Sequence, residues 1–200
     1  MILYDYAPSG NCYKVRLLLA QLGLTYERRE IALRMPPDVK AAFVRDVSPL
    51  GRVPALRLDG GEVLGESNAI LSYLAEGSKL VPADRLGRAQ VLQWLFWEQY
   101  EHEPTVAVVR AWVKYFGVPA GREADVEPLR QKAHAALAVM EQHLATRDWF
   151  VGAAYSIADI ALYAYTHVAE EGEIALGGYP AIARWMKRVA SVDGHVPITA

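Results

Sequence analysis

The sequence predicts two domains of different class, an α/β domain over residues 1–77 and an all-helical domain over residues 83–200. Three observations predict it. Short β-rich runs alternate with helical periodicity up to about Ala75; strand signals vanish beyond Pro82; and Gly77-Ser78-Lys79-Leu80-Val81-Pro82 between them carries the punctuation of a linker. With 200 residues, 52% of them hydrophobic, the chain can bury a sizeable core.

The elements follow in order. MILYDY reads as a strand, and Asn11 to Leu22 places Val15, Leu18, Leu19 and Leu22 at helical steps before a stop at Gly23. LTYERREIAL, residues 24–33, reads as a second strand, which gives β-α-β. Residues 36–47 carry no defined pattern. RVPALRL and GEVLGE then flank Asp59-Gly60-Gly61 as a hairpin, and Ser67 suits the cap of a helix running to about Ala75.

In the helical half, residues 91–116 are so apolar that they must bury more than one face, with a kink expected at Pro104. Leu129, Ala133, Ala136, Leu137, Met140 and Leu144 form one helical stripe. Ser156 and Asp159 form an S-x-x-D capping box, a folding element worth about 1 kcal/mol. Tyr179-Pro180 opens a last helix with Ile182, Trp185, Met186 and Val189 inward.

Composition excludes several functions. A net charge of -2 argues against a nucleic-acid surface, and one cysteine cannot form an internal disulfide. The first residues lack a signal-peptide pattern and no apolar run reaches the roughly 18 residues of a membrane span, so a cytoplasmic location is expected. The five histidines show no metal-ligand spacing, and His102 is expected to be solvated; no metal is expected.

Ser9-Gly10-Asn11-Cys12 has the spacing of a redox C-x-x-C with serine in place of the first cysteine. A strand that turns into a helix here leaves backbone N–H groups unpaired where the helix dipole favours negative charge, a corner suited to a thiolate. Ser9 and Asn11 can cap the helix or donate hydrogen bonds to a thiolate that arrives from elsewhere. Val53-Pro54 places a proline at a strand's start, where a cis bond is tolerated. The backbone of the preceding residue is then available to an extended peptide. Glu66-Ser67-Asn68 at a helix start offers donors for a carboxylate and a carboxylate for an amine, which an α-amino-acid head group would satisfy.

At these residues the whole chain resembles the cytosolic glutathione transferases. SPLGRVPAL is similar to the family's N-P-x-G-x-V-P-x-L, ESNAIL to its E-S-x-A-I, and GAAYSIAD to its G-x-x-x-S-x-A-D run, in family order. The resemblance implies a thioredoxin-like N-terminal domain that binds glutathione and a C-terminal helical bundle domain that contributes the acceptor pocket. By position, Glu66 and Ser67 match the residues that hold the γ-glutamyl head, Val53 the backbone that pairs with the cysteinyl part, Pro54 the cis-proline, and Arg52 a basic position near the glycine carboxylate. The turn is most similar to serine-type and Nu-type members, whose A-P-T-x-N turn aligns a threonine with Ser9 and an asparagine with Asn11. Tyr4 and Tyr6 are read as packing residues.

The resemblance therefore implies a homodimeric transferase in which Ser9 and Asn11 activate the thiol of glutathione. A small hydrophobic electrophile would lie near Tyr100, Val106 and Arg110. The same thiolate could reduce a disulfide or peroxide, and related folds also serve as non-catalytic binding or scaffold proteins.

Overall fold

The computed structural model describes residues 1–32 and 34–200, which form two compact units. The first comprises Met1–Glu76 together with Asp193–Ala200, and the second Gly77–Val192. The last eight residues thus belong with the α/β unit, whereas the sequence boundary assigns them to the helices.

In the first unit the chain forms β1 (Ile2–Asp5), α1 (Gly10–Gln21), β2 (Glu27–Glu30), α2 (Pro37–Asp46), β3 (Ala55–Arg57), β4 (Val63–Gly65) and α3 (Ser67–Ala75). The sheet order is β2-β1-β3-β4, with β1 parallel to β2 and the other two pairings antiparallel. The thioredoxin-like expectation is met. Successive residues of β1 face opposite ways, so Leu3 joins Val15, Leu19, Leu56 and Ile70 on the side of α1 and α3, while Tyr4 joins Phe43 and Ala55 on the side of α2. Tyr4 is a packing residue as expected, edge-on to Phe43.

Two elements differ from the sequence reading. The run over residues 24–33 is a strand only from Glu27 to Glu30, all four residues exposed, and its end at Leu33 lies outside the described residues. Residues 36–47, left undefined, contain α2, a helix that opens on Pro37 and buries only Phe43.

A buried ion network ties this unit together. Asp5 accepts from Arg16 Nη1 at 2.6 and 2.8 Å and from Arg28 Nε at 2.6 Å, with Asp5 and Arg16 both inaccessible to solvent. Arg16 also donates to the carbonyls of Ala7 and Ile198, Tyr13 to that of Val196, and Arg28 to that of Ala200. Gly194 lets the tail approach α1 this closely. A Cβ there would lie 2.9 Å from the Ala20 carbonyl oxygen, and its φ of +76° suits glycine alone.

The second unit contains α4 (Arg85–Trp97), α5 (Glu103–Arg110), α6 (Val126–Leu144), α7 (Ile157–Thr166) and α8 (Pro180–Ala190). Every residue of α7 is buried, and α4, α5 and α8 pack on it. The apolar run at 91–116 is not one regular helix. π-helical stretches at Glu98–His102 and Ala111–Phe116 flank α5. Pro104 lacks an N–H and would leave carbonyls of the preceding turn unpaired; the Thr105 hydroxyl donates toward the carbonyls of Glu101 and His102, at 3.2 and 2.8 Å. No helix among the described residues is long and apolar enough to cross a membrane.

The capping box at Ser156 forms, and it reaches further than a cap. Fully buried Asp159 accepts from Ser156 N at 2.9 Å, Ser156 Oγ at 3.1 Å, Phe150 N at 3.2 Å and Trp185 Nε1 at 2.9 Å. It therefore joins the loop before α7 to α8. Burial pushes its carboxyl from the ordinary 3.8 up to about 6, against the four donors that pull it down.

Asp159→Ala strands four buried donors, so the expected loss is about 3 kcal/mol or more rather than the 1 kcal/mol of a simple cap. Urea unfolding measures it. Asp159→Asn is also expected to destabilise, because its amide N–H groups face donors. Since the folded carboxyl keeps its proton to a higher pH than the unfolded one, the folded state binds more protons between about 4 and about 6. This component of stability falls as pH rises through that window and is level above it. It is read as the wild-type minus Asp159→Asn difference across a pH series.

Candidate functional site

The sheet register gathers the candidate residues. β1 ends at Asp5, and Ala55 at the start of β3 sits opposite both Tyr4 and Gly65, the last residue of β4. The β1–α1 turn, Val53-Pro54 and Glu66 therefore all meet the sheet at one end.

Ser9 caps α1: its Oγ accepts from Cys12 N at 3.3 Å. This uses a lone pair and leaves the hydroxyl proton for donation, so the two roles read from the sequence are compatible. Asn11, half-buried, follows in the first turn. The Val53–Pro54 bond is cis, and among the described residues no hydrogen bond uses the backbone N–H or C=O of Val53. Arg52 is exposed next to it, its own carbonyl held by Ser48 Oγ at 3.0 Å.

At α3 the sequence reading is corrected. The cap position is Glu66, which has φ 63° and ψ 116° and makes no side-chain cap bond; Ser67 is the first helical residue. A non-glycine residue at positive φ costs about 1–3 kcal/mol and is typical of ligand clamps. Released from capping, the buried Ser67 hydroxyl donates across to Asn11 Oδ1 at 3.2 Å. It brings the starts of α1 and α3 together.

Lys14 lies behind this contact. It is fully buried, and its ammonium donates to Ser67 Oγ and Asn68 Oδ1, each at 3.4 Å. Sequence reasoning missed it. The available signal was a lysine within Tyr13-Lys14-Val15-Arg16-Leu17-Leu18-Leu19, where every residue is buried.

Cys12 is fully buried and accepts from Tyr6 N at 3.4 Å. Burial first, then the charge of Asp5, pushes its thiol up to about 12. It is a neutral packing group at physiological pH. Among the described residues no cluster of three or more His, Cys, Asp or Glu side chains is placed to hold a metal ion.

The residues expected to border the acceptor pocket do not share a surface. Tyr100 is 82% exposed, whereas Val106 is fully buried. Arg110 is buried and bonded to Glu171 Oε2 at 2.7 Å and Tyr115 Oη at 2.9 Å. Tyr100 belongs to the π-helical stretch and the other two to α5. His102 is likewise buried rather than solvated, with Nε2 3.0 Å from Thr166 Oγ1. That hydroxyl donates to Leu162 O, so it accepts from the ring.

The chain is similar to known proteins in both of its units. Residues 8–76 match the family described as glutathione S-transferase, N-terminal domain, and residues 96–193 match the corresponding C-terminal domain. A glutathione S-transferase from Pseudomonas fluorescens is 46% identical, with a TM-score of 0.95 over 100% of this chain and 98% of that one. The disulfide-bond oxidoreductase YfcG of Escherichia coli is 31% identical over 96% of this chain and 91% of its own. A sphingomonad glutathione S-transferase, solved with glutathione bound, is 26% identical, with a TM-score of 0.81 over 100% of this chain and 95% of that one. The α/β unit, the helical unit and both family matches agree: the chain belongs to the glutathione S-transferase family.

Proposed function

We propose that the protein binds glutathione at the sheet end described above and activates its thiol for attack on a hydrophobic electrophile. The observation that carries this reading is the Ser67–Asn11 hydrogen bond, which assembles two helix N-termini and their side-chain donors around one locus. The γ-glutamyl carboxylate meets the N-terminus of α3, where the dipole favours an anion, and its amine meets the Glu66 carboxylate. The cysteinyl backbone pairs with Val53 as an added strand does, and Arg52 takes the glycine carboxylate. The sulfur then lies over the first turn of α1.

There the Ser9 hydroxyl and the Asn11 amide donate to it. Hydrogen bonds to a charged acceptor contribute about 1.5–3 kcal/mol each, and lowering a thiol pKa by two units needs about 2.7 kcal/mol. Two donors suffice. Donors held on the first turn of a folded helix before the reaction would stabilise the thiolate with little reorganisation. Binding as a fixed peptide supplies orientation.

One further reading has a specific observation behind it, the likeness to a protein named a disulfide-bond oxidoreductase. The same thiolate would attack one sulfur of a disulfide, forming a mixed disulfide with glutathione and releasing the other sulfur as a thiolate. No protein cysteine takes part. A panel of aryl halides, disulfides and organic hydroperoxides separates conjugation from reduction.

Glutathione titrated by calorimetry is expected to bind saturably; absence of saturation would instead mean a binding or scaffold protein of another kind. Ser9→Ala and Asn11→Ala are each expected to raise the pKa of bound glutathione, read from the pH profile of thiolate absorbance, with the larger shift for Asn11. Ser67→Ala is expected to raise the glutathione KM and to raise that pKa, since Ser67 serves both head-group binding and Asn11.

Cys12 provides the opposing test. As the sole cysteine, and buried as a neutral thiol, it is expected to resist alkylation in the native protein at pH 8 and to react fully once unfolded. Cys12→Ala is expected to retain most activity. Loss of turnover in a folded Cys12→Ala protein would assign the sulfur to the chain.

A further inference from the structure

We infer that residues 197–200 are a strap on the thiol-activating turn: they hold the turn that carries Ser9 through two arginine bridges, which end on the two polar backbone groups of Ala7. The inference rests on the glutathione-thiolate reading and names a part of the chain that positions its site.

Ala7 lies between β1 and α1, two residues before Ser9. Its carbonyl accepts from Arg16 Nη2 at 2.9 Å, and the same nitrogen donates to the Ile198 carbonyl at 2.7 Å. Its N–H donates to Glu30 Oε1 at 3.0 Å. The other oxygen of that carboxylate accepts from Arg28 Nη2 at 3.2 Å, and Arg28 Nη1 donates to Ala200 O at 2.9 Å. Each backbone group of Ala7 is therefore tied to the tail through one guanidinium. The N–H belongs to the peptide plane before Ala7 and the carbonyl to the plane after it, so the two bridges together fix both soft dihedrals of this residue. Ser9 N closes on the Tyr6 carbonyl at 2.9 Å, which carries the setting of Ala7 on to the capping serine.

The tail presents its oxygens as one piece. Ala200 N donates to Pro197 O at 3.0 Å, closing a four-residue turn that contains Ile198. Upstream, Val196 O accepts from Tyr13 Oη at 2.7 Å, an anchor that remains when residues 197–200 are removed. The bridges differ in weight. The Arg16 side chain is 2% exposed, whereas those of Arg28 and Glu30 are 31% and 52% exposed, so solvent screening weakens the second bridge. Without Ile198, water reaches Arg16 Nη2 and competes for its bond to Ala7.

A tail that only adds contacts raises the stability of the unit and does nothing else. A strap acts on the turn, and through it on the ionisation of a sulfur bound over Ser9 and Asn11. Head-group binding at Val53, Glu66 and Ser67 lies beyond both bridges and is affected less.

The experiment compares wild type with a protein lacking residues 197–200 and with Gly194→Ala, whose added Cβ meets the Ala20 carbonyl oxygen and pushes the tail off α1. Amide exchange by NMR at Ala7 and Ser9, without ligand, reads the turn, and exchange in β3 reads the unit as a whole. Thiolate absorbance, kcat and KM for glutathione read the site. Removal of the tail is expected to speed exchange at Ala7 and Ser9 severalfold more than in β3. It is also expected to raise the bound-thiol pKa by about half a unit, roughly a threefold loss of thiolate at a given pH below it. At that pH kcat falls by a larger factor than KM rises. Gly194→Ala is expected to move every readout in the same direction, and it carries the comparison if the shortened chain does not fold.

Exchange at Ala7 and Ser9 that merely follows β3, or a bound-thiol pKa unmoved when the turn has loosened, would overturn the inference. Wild type that fails to bind glutathione would overturn the function and the inference with it. Wild-type binding with turn and pKa unmoved in the tail variants overturns only the role of the tail.

Discussion

The α/β unit depends on the charge of Asp5. It sits at the end of β1 without solvent access and is matched by Arg16 from α1 and Arg28 from β2. Removing one partner of such a buried pair costs about 3–5 kcal/mol, because the other charge is left uncompensated. The network sets the β1–α1 turn through Arg16 and the Ala7 carbonyl, and that turn carries Ser9. The same carboxylate adds to the forces that keep the Cys12 thiol neutral. One buried anion thus fixes where the capping serine stands and silences the sulfur next to it.

Much of this was readable before the structure because the signals were local. A Gly stop at Gly23, a turn at Asp59-Gly60-Gly61 and an S-x-x-D box each specify geometry from a few residues, and all three stand where expected. α2 was unreadable because it buries one side chain, Phe43, and a helix without an apolar stripe has no period to detect. β2 lost its outer residues for the same reason, since four exposed charged or polar positions show no alternation.

The site was legible in its residue types and less so in their roles. Serine suits both a cap and the first position of a helix, and only the backbone of Glu66 decides which Ser67 occupies. Lys14 was hidden because a lysine is presumed to be solvated. Tyr100, Val106 and Arg110 rested on resemblance alone, which does not register the π-helical stretches on either side of α5 or the burial of Val106 and Arg110.

The return of Asp193–Ala200 to the first unit bears on the order in which the chain can mature. Synthesis delivers Met1–Glu76 early, but Tyr13, Arg16 and Arg28 receive their carbonyl partners only after the whole helical unit has been made. Domains generally fold in the order in which they emerge. Here the earlier one waits for a segment separated from it by Gly77–Val192, a closure that local contacts cannot hasten. The α/β unit therefore makes its last contacts only once residues 193–200 have been added behind the helical unit.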